Sequence, residues 1–426
     1  MPGEETFRGV ELFTALLGAA AILALVSRRF GFPYTVALVL FGLAVAAFIP
    51  NTGFEITPEL VLVVLLPALV FEAAYQTDFG HLRQTGVGIA LLAIPGVLIS
   101  AAVVAGVLHL ATGLKLELAF VIGAMVSATD PVAVIATFRQ LGAPRALTTL
   151  VEGESLFNDG TAIVVFAIAL QAVEGEVAIG DAVGGFAATV LFSMALGAVT
   201  GFVASRVVAS VNDHLIETTI SLLVAYGTYI VADLLDQSGI IATVVAGVTL
   251  GTYGRRIGMS ARTQEALDTV WEFLAFIMTA LVFLLVGLAI TVGGLVEAAV
   301  PIGWGIAAIL VGRALVIYGL LGGASRLVGP RRGGLERGWL HVLFWSGLRG
   351  AVAVALALSL PEDFPQRSMV QSVAFGITLF TLIAQGGTIG WVFRRALGHG
   401  DGPPASGPAP ATRRGCQPVG AESHRG

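Results

Sequence analysis

The polar residues best suited to do chemistry in this chain fall in two short stretches: Ser127-Ala128-Thr129-Asp130-Pro131 and Glu152-Gly153-Glu154-Ser155-Leu156-Phe157-Asn158-Asp159-Gly160. Pro131 has no amide hydrogen, and its ring opposes the carbonyl four residues earlier, so a helix through Thr129 and Asp130 is expected to break. A break leaves backbone carbonyls free. Free carbonyls, a threonine hydroxyl and carboxylates are the oxygens that a hard cation requires once it sheds its water. In the second stretch Ser155 and Asp159 are four residues apart and share a helical face. Glu154 and Asn158 form another such pair, rotated from the first by about 100°.

A third stretch, Trp345-Ser346-Gly347-Leu348-Arg349-Gly350-Ala351-Val352-Ala353-Val354, sets an arginine between glycines, which again suggests a broken helix. Two further ionisable residues, Glu72 and Arg313, lie in apolar surroundings. Charges in such surroundings are costly and mark functional sites by default. The two cations Arg313 and Arg349 cannot pair off the four acids Glu72, Asp130, Glu154 and Asp159. At least one acid must therefore carry a proton or a bound cation. That surplus is the chemistry, and the charges by themselves leave all four acids as candidates.

The elements that position these groups are membrane helices. Of the 426 residues, 56% are hydrophobic and only 12% charged, and the mean hydropathy is +0.90. A soluble domain carries about twice that charge density. Apolar runs such as Ile89–Leu108 recur along the chain, and a bilayer core asks for about 20 apolar residues per helix. Spanning segments must be helices or a closed barrel, and continuous runs without period-two alternation exclude the barrel. The 54 glycines suit close helix packing in lipid. Thirteen spans are predicted: 10–27, 33–49, 59–75, 86–109, 119–138, 155–173, 182–208, 216–236, 239–253, 267–291, 299–325, 338–360 and 369–394.

Basic residues test that map. Connections after odd-numbered spans hold Arg28, Arg29, Arg83, Arg139, Arg145, Arg206, Arg255, Arg256, Arg262, Arg326, Arg331, Arg332 and Arg337. The other side has only Arg8, Lys115 and Arg367. Positive residues favour the cytoplasmic face, which places the N-terminus outside and the C-terminus inside. The start lacks a basic n-region and reads as a retained first helix. Residues 1–397 form one transmembrane domain, and 398–426 read as a disordered cytoplasmic tail rich in Gly, Pro, Ala and Arg. The single cysteine, Cys416, excludes an intrachain disulfide.

Asp130-Pro131-Val132-Ala133-Val134 aligns with Gly350-Ala351-Val352-Ala353-Val354, which pairs two interrupted helices entering from opposite faces. This is the inverted-repeat pattern of secondary transporters. The expected fold is an all-α polytopic membrane protein with about thirteen transmembrane helices and two interrupted, crossing helices.

Three motifs in this order, Thr129-Asp130-Pro131, Glu154-Ser155-Leu156-Phe157-Asn158-Asp159-Gly160 and Gly347-Leu348-Arg349-Gly350-Ala351, resemble the cation:proton antiporter-1 family. That family holds the NhaP-type sodium/proton antiporters. The similarity runs from Leu66-Pro67-Ala68-Leu69-Val70-Phe71-Glu72 to the last span. It implies a multi-pass cell (inner) membrane homodimer, in which a core bundle moves against a dimerisation domain. It implies that Asp159 binds H⁺ and Na⁺ in turn, with Ser155, Thr129 and Glu72 as further ligands and Asn158 steadying the interrupted helix. Asp130 either binds the cation directly or caps the broken helices, and Pro131 supports the break. Glu154 pairs with an arginine, Arg313 by choice and Arg349 as competitor. An Asn158-Asp159 pair, where electrogenic relatives have two aspartates, favours one-for-one electroneutral exchange. K⁺ and Li⁺ remain open as alternatives to Na⁺, and no cofactor or nucleic acid is expected.

Other classes fit less well. An intramembrane serine protease needs a Ser/His dyad, and no histidine falls mid-span. A passive channel uses similar ligands without alternating access. An enzyme is not expected.

Overall fold

The computed structural model describes residues 2–30, 33–48, 57–77, 79–175, 179–328 and 337–398. The expected tail beyond Gly398 lies outside the described residues, as does the arginine-bearing connection before Arg337. Within them the chain is helical throughout, with no strand. The predicted spans overlap helices, with 119–138 and 338–360 interrupted at 126–131 and 346–350. Seven helices are long and apolar enough to cross a bilayer: Gln84–Thr112, Arg145–Val173, Val183–Val208, His214–Asp233, Ala261–Ala289, Ala299–Arg326 and Arg367–Leu397. Shorter apolar helices include Tyr34–Phe48 and Leu60–Gln76. The 29 residues of Gln84–Thr112 rise more than 40 Å (about 1.5 Å each), so such helices can tilt and still span.

Local chemistry sets several ends. Asp213 accepts the amides of Leu215 (2.8 Å) and Ile216 (3.3 Å), capping His214–Asp233. Ser260 accepts the Thr263 amide at 3.1 Å and starts Ala261–Ala289. Pro95 lies in a wide turn, Leu92–Gly96, where its missing amide loosens the helix.

Small residues bring helices into contact. A Cβ on Gly42 would lie 3.0 Å from the Gly287 Cα, so Tyr34–Phe48 and Ala261–Ala289 touch backbone to backbone there. Trp271 is fully buried beside Phe71, ring centroids 4.6 Å apart, and donates to Ser221 Oγ at 3.0 Å. The helix Ile179–Val208 instead turns Val183, Leu191, Phe192 and Val199 outward, as a lipid-facing or partner-facing helix does.

Two helices are interrupted at mid-length. Leu116–Met125 and Val132–Leu141 flank one break, and Arg337–Trp345 and Ala351–Leu358 flank the other. The breaks face each other, joined by the Asp130 amide, which donates to the Leu348 carbonyl at 2.8 Å. The helix Arg145–Glu174 runs beside this crossing and carries the second polar stretch.

Candidate functional site

Four half-helix ends meet at the crossing, each with unsatisfied backbone groups and a partial charge near half an electron. Asp130 serves both positive ends. Its Oδ1 accepts the Val132 amide at 3.1 Å, and the Ala351 amide is a second donor to its carboxylate. Arginines serve both negative ends. Arg349 Nη1 donates to the carbonyls of Ser127 and, at 3.0 Å, Ala128, just beyond Leu116–Met125. Arg313 donates to the Leu343 carbonyl, from Nε at 3.2 Å and Nη2 at 2.8 Å, near the end of Arg337–Trp345.

Arg313 also grips Glu154: Nη2 donates to Oε2 at 3.0 Å and Nη1 to Oε1. A two-pronged guanidinium–carboxylate pair of this kind is strong and directional. Glu154 and Arg313 are 2% and 5% exposed, too buried for either to stand alone.

The glycines flanking Arg349 make room for this arrangement. A Cβ at 347 would lie 2.8 Å from Arg313 Nε, and one at 350 would strike the Asp130 carboxyl. Their absence of side chain matters here beyond breaking a helix.

The extended piece between the first pair of half-helices is held from Arg145–Glu174. Asn158 Nδ2 donates to Thr129 Oγ1 at 2.6 Å, and the Thr129 amide reaches Asn158 Oδ1 at 3.4 Å. Ser155 Oγ donates to the Thr129 carbonyl at 2.5 Å. The two faces read from sequence thus converge on one residue.

At the crossing Arg313 pairs with Glu154, Arg349 is held by the Ser127 and Ala128 carbonyls, and Asp130 accepts backbone amides. Asp159 is left over, and among the described residues its carboxylate makes neither a hydrogen bond nor an ion pair. It lines a cavity of about 90 Å³ with Thr129, Asp130, Pro131, Ser155 and Glu152, walled by Leu66, Leu69 and Val70. An uncompensated carboxylate beside two hydroxyl oxygens can hold a proton or a small desolvated cation. It cannot comfortably stay empty and charged.

The profile of the transmembrane sodium/hydrogen exchangers matches residues 13–395. The chain belongs to this family. Among relatives, the Na⁺/H⁺ antiporter ApNhaP of Aphanothece halophytica is 38% identical over 402 residues, covering 92% of this chain and 76% of that one. The Na⁺/H⁺ antiporter NhaP of Pseudomonas aeruginosa is 36% identical over 355 residues, covering 79% and 81%. The solved sodium/proton antiporter MjNhaP1 of Methanocaldococcus jannaschii superposes with a TM-score of 0.74 at 17% identity, over 92% of this chain and 99% of that one. That likeness establishes the NhaP-type helical fold.

In this family member the predicted site residues divide. Asp159, Ser155, Thr129, Asp130 and Pro131 share the inner cavity, Asn158 stands directly behind Thr129, and Glu154, Arg313 and Arg349 brace the crossing. Glu72 lies elsewhere. It lines a neighbouring polar cavity of about 320 Å³ with Gln76, Arg139, Arg255, Asp268 and Glu272. Sequence reasoning passed over two groups. Thr381 accepts the Arg349 amide at 3.0 Å, a contact across 32 residues that no local pattern signals. Glu152 lines the inner cavity, and its spacing of three and seven from Ser155 and Asp159 could have shown it on their face.

Proposed function

We propose that this membrane protein exchanges Na⁺, with K⁺ and Li⁺ as alternatives, for H⁺ at a single site centred on Asp159. The observation that carries the reading is the Asp159 carboxylate, which among the described residues has no hydrogen bond or ion pair and shares a cavity with Ser155 and Thr129. Family membership and relatives that are Na⁺/H⁺ antiporters support the substrates. Asp159, Ser155 and Thr129 would ligate the cation directly or through water, and Glu72 would add a ligand from the adjoining cavity.

Competition supplies the coupling. One carboxylate holds a proton or a cation, so loading one ejects the other, one for one and without net charge movement. Rocking of the bundle around the crossing would expose Asp159 to each face in turn. The excess of arginines on one side supports an outside N-terminus and a cytoplasmic C-terminus in a multi-pass cell membrane protein. The outward apolar face of Ile179–Val208 supports a homodimer.

The test is Na⁺-induced dequenching of a pH-sensitive dye in energised everted vesicles. The unaltered protein should give a signal with Na⁺, and Asp159→Asn, inserted to the same level, should give none. Substantial exchange by Asp159→Asn would remove Asp159 from the centre of the reading.

A further inference from the structure

Asp159 shares the inner cavity with a second carboxylate that has no partner. Glu152 lines the same cavity, and among the described residues it makes neither a hydrogen bond nor a contact ion pair. Asp130 in that cavity is bonded to backbone amides, and Glu154 on the same helix points to Arg313. Glu152, Ser155 and Asp159 are spaced three and four apart on Arg145–Glu174, so they form one stripe. Glu152 stands about 10 Å from Asp159 along the helix axis, one end of the stripe against the other.

The Glu152 end is the end toward the outer cavity. Ala73 lines the inner cavity and the adjacent Glu72 lines the outer, so the two spaces adjoin along one helix. Arg139, which lines the outer cavity, lies in the last turn of the helix Val132–Leu141, and the short turn 142–144 joins that end to the start of Arg145–Glu174, the Glu152 end of the stripe. Arg255 and Asp268 of the outer cavity are already joined to each other at 2.5 Å. An ion crossing from the outer space to Asp159 therefore meets Glu152 as the free carboxylate on the shared stripe.

We propose that Glu152 takes the cation from the outer cavity and passes it to Asp159, setting the apparent affinity on the face that bears Arg139. This rests on the exchange reading above. It assigns Glu152 to the cation alone, while Asp159 exchanges cation for proton. Glu152 is half-buried, and among the described residues no hydrogen bond holds it in a structural role.

The experiment compares the unaltered protein, Glu152→Gln, Glu152→Asp and Asp159→Asn in everted vesicles, with Na⁺ added on the outward-turned cytoplasmic face at low and high choline chloride. Glu152→Gln should raise the apparent KM for Na⁺ by about tenfold at low ionic strength, the lower end of what a focused charge contributes. Its maximal rate should stay within about twofold, and Glu152→Asp should restore the KM. The difference should shrink at high salt, where attraction is screened beyond about 3–10 Å. An unchanged KM for Glu152→Gln, or a lowered maximal rate at unchanged KM, overturns the proposal. If Glu152→Gln does not fold, Glu152→Ala is read by the same two criteria, and failure of both to fold makes the role structural. Exchange by the unaltered protein that is lost in Asp159→Asn upholds the exchange reading whichever way Glu152 falls.

Discussion

A side-chain carbon at position 350 would lie 2.5 Å from the Asp130 Cβ and 2.6 Å from its Cγ, so Gly350 is the residue that lets Asp130 reach the starts of both half-helices. The contact couples two segments more than 200 residues apart. It also explains why a glycine ends the break: the backbone at 350, with φ of −142°, needs space more than it needs glycine's left-handed freedom.

Gly350→Ala should therefore act on the crossing as a whole. Overpacking of this kind costs about 1–3 kcal/mol. The melting temperature of detergent-solubilised protein should fall, and Na⁺-dependent exchange should drop by about tenfold or more as Asp130 is displaced from the half-helix ends. A variant that melts and transports like the unaltered protein would show that Asp130 can shift without consequence.

Glu154→Ala should lower the amount of folded protein more than it shifts apparent cation affinity. Removing one member of a buried ion pair costs about 3–5 kcal/mol, because the other charge is left without a counter-ion. Glu154→Leu combined with Arg313→Met should recover part of the loss, since no charge is then stranded. Fluorescence-detected size exclusion measures the folded fraction. Well-folded Glu154→Ala with altered affinity alone would place Glu154 in the ion site.

Asn158→Ala should loosen the extended piece at Thr129. It removes the donor to Thr129 Oγ1 at 2.6 Å and the acceptor for the Thr129 amide. Leaving such buried groups without partners costs about 1–3 kcal/mol. The expected result is a lower melting temperature and a raised KM for Na⁺, with residual exchange because Asp159 remains. Unchanged KM would mean that Thr129 is held well enough by Ser155.

Competition at Asp159 sets the sign of the pH dependence. As pH falls, protons occupy the carboxylate and the apparent KM for Na⁺ rises, approaching about tenfold per pH unit where competition is complete. The maximal rate at saturating Na⁺ should not change across that range. Initial rates over a grid of Na⁺ and pH measure both, and a KM independent of pH would argue for separate proton and cation seats.

Much of this protein is legible in its residues. Membrane helices follow from long apolar runs, because lipid leaves the backbone no other way to satisfy its hydrogen bonds. Pro131 announces its break, since a missing amide acts locally. The Ser155–Asp159 and Glu154–Asn158 faces follow from helical period alone. What the sequence left open depended on distance in space. Glu154 could have met Arg313 or Arg349; the fold turns Arg313 to Glu154 and Arg349 to the carbonyls of Ser127 and Ala128. Glu72 reads like the other buried acids, yet the fold sets it in the adjoining cavity, and it brings Glu152 into the inner one. Periodicity tells which residues share a face of one helix. Which of several like charges remain without a partner is decided only when all the helices are in place, and among the described residues of the inner cavity they are Asp159 and Glu152.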